Sequence, residues 1–236
     1  MADVIYTNDK YADMKKNTVS AANQLKPDRY TRIYNSAGKG KRILLLGNSI
    51  TLHGVLESIG WTYECGMAAS SPEKDYVHLL MSKIQKENPD AVIYVCQVSQ
   101  WEINYKKPDE VFEKYSLARD FNADIIVARF IENCSSVDFD KEIFKDKYCQ
   151  LIDFFNSSGK ADIILTTGFW MHPGDDGIKE IGTERNLPVI YLGDLGADDK
   201  MKAIGLFEHN GVANHPGDAG MEAIADRIWA ELATLI

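Results

Sequence analysis

Short, mainly apolar runs without polar alternation, separated by stretches of helical periodicity, constrain this chain more than anything else in it. The runs fall at residues 43–47, 91–98, 124–130, 162–167 and 189–192. A run without polar alternation suits a strand buried on both faces, as in a parallel sheet covered by helices. Between the runs, Tyr76, Val77, Leu80, Met81 and Ile84 keep helical spacing, after a Ser71-Pro72 pair that reads as a helix start over 72–87. Phe144, Tyr148, Leu151, Ile152 and Phe155 share one face of a helix expected over 141–156. Met221, Ile224, Ala225, Ile228 and Leu232 do the same over 221–232, and shorter helices are expected at 109–120 and 177–185.

Strands alternating with helices imply right-handed βαβ units. The expected fold is therefore α/β: a three-layer α/β/α sandwich on a parallel five-stranded sheet in the flavodoxin-like order 2-1-3-4-5. At 236 residues and 45% apolar, the chain can bury one sizeable core. Residues 41–236 read as a single domain and residues 1–40 as a polar extension packed on or near it, with a weak amphipathic helix over 9–25.

A net charge of −9 and a pI near 5.1 argue against nucleic acid or an anionic membrane as the main partner. No run approaches the ~18 apolar residues that suggest a bilayer span, and the first residues carry no apolar signal core, so a cytoplasmic location is expected. Cys65, Cys96, Cys134 and Cys149 form no C-x-x-C pair. With no H-E-x-x-H and no phosphate loop, neither a metal nor a cofactor is expected. A homo-oligomer is compatible with the sequence.

In a parallel doubly wound sheet all strand carboxyl ends share one edge, where ligands bind. Ser49 follows the run 43–47, Asn133 follows 124–130, and Phe169-Trp170-Met171-His172 follows 162–167. His215 precedes the last helix, which starts at that same edge if it runs antiparallel to the strands. Four sequence-distant polar positions are thus expected at one place.

At these positions the chain resembles the SGNH (GDSL-like) hydrolase family, in particular a bacterial branch with GNSIT and GMAAS stretches. Gly47-Asn48-Ser49-Ile50 resembles the first block, with Asn48 where Asp is usual. Gly66 resembles the second-block glycine. Asn133 resembles the third-block asparagine, with Ile131 where glycine is typical. His215-Pro216 with Gly220 resembles the fifth block. The resemblance implies a serine esterase acting on a small ester, with Ser49 as nucleophile and His215 as base. It also implies an oxyanion hole built from the backbone N–H groups of Ser49 and Gly66 and the Asn133 amide. An acetyl group on a carbohydrate is the expected acyl ester, and Trp170 and His172 are the expected substrate contacts.

The family's acid usually stands three residues before the histidine, a position held by Val212. Two arrangements follow. In one, a Ser–His dyad is oriented by a backbone carbonyl. In the other, Glu132, Asp175, Asp194 or Glu208 completes a triad. A catalytically impaired binding module on the same fold is the alternative to an enzyme.

Overall fold

A computed structural model describes residues 31–236 of the chain. The helix expected over 9–25 lies outside the described residues. A six-stranded sheet runs in the order β1-β3-β2-β4-β5-β6. Its strands are β1 (Thr31–Tyr34), β2 (Arg42–Gly47), β3 (Val92–Gln97), β4 (Ile125–Arg129), β5 (Asp162–Thr166) and β6 (Val189–Ile190).

Strands β2 to β6 are parallel and keep the expected 2-1-3-4-5 order. The sixth strand corrects the expected count. β1 pairs antiparallel with β3 and lies in the stretch read as an extension. Four residues at a sheet edge, with Ile33 half exposed, leave no apolar run to read.

The alternation of β2 explains the layers. Leu44 and Leu46 point into one core, Ile43 and Leu45 into the other. The first face is covered by the helix Lys141–Phe155, by Ile178 and Ile181 of the helix Asp175–Arg185, and by Trp101. The second is covered by α1 (Tyr76–Glu87) and by the helix Asp218–Leu232. Both faces are dry, which is why these strands carry no polar alternation.

Several boundaries differ from expectation for local reasons. A 3-10 turn at Pro72–Lys74 precedes α1, and Asp75, not Ser71, caps the helix by accepting from His78 N. The 109–120 stretch breaks into Asp109–Phe112, a 3-10 turn, and Ser116–Asp120. A short helix after β3, α2 (Ser99–Asn104), is unanticipated, because its polar sequence hides three buried residues. A single helical turn, α3 (Asn210–Ala213), precedes His215. Among the described residues no helix is long and apolar enough to cross a membrane.

Candidate active site

β2 ends at Gly47, whose neighbours in register are Gln97 on β3 and Arg129 on β4. A Cβ at Gly47 would lie 1.7 Å from Thr51 Oγ1, so only glycine lets the chain fold back this tightly. The turn closes through Thr51 N and Leu52 N, both donating to Asn48 O at 2.9 Å. Ser49 is thereby set at the carboxyl edge of the central strand with 8% of its surface accessible.

His215 comes to it across 166 residues of sequence: Ser49 Oγ lies 2.8 Å from His215 Nε2. The other ring nitrogen, Nδ1, lies 2.5 Å from the carbonyl oxygen of Gly211. A carbonyl only accepts, so the proton sits on Nδ1. Nε2 is then the lone-pair nitrogen facing the serine hydroxyl. Gly211 O is available because α3 is a single turn, whose last carbonyls have no intrahelical donor. Val212, three residues before His215, is fully buried among apolar side chains.

None of the four carboxylates considered for a triad is bonded to His215. Glu132 accepts from Asn48 Nδ2 (2.5 Å) and Phe169 N (2.7 Å) and pairs with Arg129. Asp175 accepts from Gly168 N (3.0 Å) and His172 N (2.9 Å). Asp194 holds Arg227 through both oxygens, at 2.5 and 2.7 Å. Glu208 lines a separate groove with Glu57, Ile59, Phe207 and His209. The group that orients the His215 ring is thus the Gly211 carbonyl and not a carboxylate. Burial pushes the His215 imidazole down to about 3, only partly countered by its bond to Gly211. The ring is neutral at any ordinary pH, the form a general base needs.

Two expected contacts are corrected. The Gly66 N–H is not open to a ligand, because it donates to Asp75 Oδ2 at 2.8 Å. What this position requires is smallness: a Cβ would lie 2.4 Å from Ile50 O. Beside it, Met67 N donates to Ser49 O (2.9 Å), and Ala69 N closes a turn onto Gly66 O (3.3 Å). Ala68 sits inside that turn with φ +76°, a strained value for a residue with a side chain. His172, expected to meet substrate, has both ring nitrogens engaged. Nε2 lies 3.0 Å from Cys134 O, and Nδ1 accepts from Gly174 N at 3.0 Å. It ties two loops together. Trp170 does reach the site, edge-to-face on His215 with ring centroids 5.3 Å apart.

Beneath Ser49 lies a polar cluster that was not anticipated. Asn48, Glu102 and Arg129 are fully buried, and the Glu132 side chain is 5% exposed. Arg129 Nη1 donates to Asn48 Oδ1 at 3.0 Å. Asn48 Nδ2 donates to Glu102 Oε1 at 3.0 Å as well as to Glu132. Asn133 donates its amide to Glu102 Oε2 at 2.6 Å and its backbone N–H to Glu102 Oε1 at 3.3 Å. One signal for the cluster was present: an arginine inside the run 124–130 must find carboxylates if that run is buried.

The fold is shared with solved esterases and acylhydrolases. The chain superposes on the lipase/acylhydrolase from Enterococcus faecalis with a TM-score of 0.52 and 20% identity, over 82% of this chain and 95% of that one. It matches a two-domain esterase active on acetylated mannans equally well, at TM-score 0.52 and 20% identity, covering 85% of this chain. It spans half the length of that two-domain protein, 50%. No protein-family model matches the sequence, and no curated protein matches it.

Proposed function

We propose that this chain is a serine esterase that removes a small acyl group, acetyl above all, from a carbohydrate or similar alcohol. The observation that carries the reading is the 2.8 Å contact between Ser49 Oγ and a neutral, carbonyl-oriented His215.

Ser49 Oγ attacks the ester carbonyl carbon while its proton passes to His215 Nε2. The carbonyl oxygen becomes an oxyanion. The Ser49 N–H and the Asn133 amide are its donors, since an amide NH2 bonded once to Glu102 keeps a second proton. The tetrahedral intermediate collapses as the imidazolium returns the proton to the leaving alcohol. Water then repeats the sequence on the acyl-enzyme, and the carboxylate leaves with Ser49 regenerated.

A carbonyl orients the imidazole but brings no negative charge to the imidazolium that forms. Turnover is therefore expected to be modest beside a full triad, where spoiling the acid alone costs about 10⁴-fold. The acetyl and carbohydrate parts draw on two supports. Trp170 stands beside His215, an aromatic face on which a sugar can stack. A structural neighbour is active on acetylated mannans.

Acetate release from acetylated manno-oligosaccharides, measured against p-nitrophenyl acetate and p-nitrophenyl octanoate, tests this. Acetyl esters are expected to be hydrolysed and the octanoate left nearly untouched. Faster release of octanoate would assign a lipase-like acyl preference instead.

A further inference from the structure

We propose that Glu102 is a positioning residue for this site, a carboxylate that holds the Asn133 amide and the Ser49 turn in one geometry. The inference rests on the esterase reading above and adds to it the group that sets its oxyanion donor.

The geometry is specific. Glu102 lies on α2, fully buried, and touches neither Ser49 nor His215 by any hydrogen bond. It meets three N–H groups instead. Oε1 accepts from Asn48 Nδ2 and Asn133 N; Oε2 accepts from Asn133 Nδ2. Asn48 directly precedes Ser49 in the chain, so one carboxylate spans the nucleophile turn and the loop after β4. Only an ionised carboxylate offers acceptors on both oxygens with no proton between them. A proton on Glu102 sets donor against donor. The Asn133 amide must then turn over or give up the bond, and in either case its second N–H is no longer fixed.

The groups facing Glu102 account for its behaviour. Burial first, and the Glu132 carboxylate second, raise it from the ordinary carboxylate range to about 7. Arg129 does not touch it and acts through Asn48 and Glu132. Cys134 and Tyr148 also lie near, but burial holds both neutral, so they add no charge. Glu102 therefore changes charge in the working pH range, whereas His215 does not. The acid limb of turnover belongs to Glu102: kcat is lost as the pH falls through the range in which this carboxylate takes up its proton.

The test is a cycle of wild type, Glu102→Gln, Asn133→Ala and the double variant on p-nitrophenyl acetate from pH 5 to 8. Asn133→Ala should lower kcat by about 10²-fold, the usual cost of an oxyanion donor. Glu102→Gln should lower it by about 10- to 100-fold with KM nearly unchanged, and should flatten the acid limb seen in wild type. The double variant should lose well under the product of the two single losses, because the part of the Glu102 effect that runs through Asn133 is gone once Asn133 is. If Glu102→Gln melts below the assay temperature, Glu102→Asp is read instead by its loss of kcat at unchanged KM and by its non-additivity with Asn133→Ala.

Wild-type kcat in Glu102→Gln would overturn the inference. So would fully multiplicative losses in the double variant, or an acid limb that survives the substitution. A wild-type protein with neither turnover nor a Ser49 adduct overturns the esterase reading itself, and this inference with it.

Discussion

Ser49→Ala is expected to reduce turnover of p-nitrophenyl acetate by about 10⁴- to 10⁶-fold, to the level of the uncatalysed reaction plus binding. The size follows from the chemistry. Removing Oγ leaves His215 with a lone pair at 2.8 Å from nothing that can attack carbon. The remaining N–H donors can stabilise an oxyanion only if some other nucleophile makes one. The fold should be indifferent to the change. Ser49 Oγ bonds only to His215, and the Gly47–Thr51 turn is closed by backbone groups and by Asn48. The thermal midpoint should stay within a degree or two of wild type. Undiminished turnover by a well-folded Ser49→Ala protein would mean that the chemistry, if any, is elsewhere.

The largest effect on stability is expected from Arg129→Ala. Arg129 is fully buried at the end of β4 and is the cation of a cluster holding two carboxylates, Glu102 and Glu132. Its removal leaves Glu132 without its ion-pair partner and Asn48 Oδ1 without one of its donors. Breaking a buried pair from one side costs about 3–5 kcal/mol, since the charge left behind stays desolvated. The pH dependence has a definite sign. Burial and the Glu132 charge raise Glu102 to about 7, so it takes up a proton as the pH falls from 8 to 5. The negative charge left without its cation is thereby smaller at pH 5 and is felt in full at pH 8. Urea denaturation should therefore show a larger loss at pH 8 than at pH 5. An unchanged midpoint at pH 8 would mean that the cluster contributes nothing to folding.

Much of the architecture was legible because of how parallel sheets bury their strands. Strands covered on both faces show no polar alternation, so the runs 43–47 and 124–130 announce themselves despite Asp124 and Arg129 in the second, and topology then gathers their carboxyl ends. That reasoning brings Ser49 and His215 together. β1 was not legible: an edge strand of four residues with an exposed Ile33 needs no apolar pattern. Nor was the orienter of His215, since a backbone carbonyl leaves no trace in the identity of Gly211. Gly66 was read as a donor, and the reason it is not one lies nine residues on, in the carboxylate of Asp75 that takes its N–H. Glu102 was hidden for a different reason. Whether a glutamate on a short polar helix faces solvent or core is decided by tertiary packing, here by the Asn48 and Asn133 N–H groups that its carboxylate meets.

Intact-mass analysis after reaction with a fluorophosphonate tests the central claim most directly, with Ser49→Ala and His215→Ala as controls. A single adduct mapping to Ser49, absent from Ser49→Ala and strongly slowed in His215→Ala, is the predicted result. It would show a serine activated by an imidazole that a carbonyl alone holds in place. No adduct on a folded wild-type protein would contradict the account and would leave a binding module on an esterase fold.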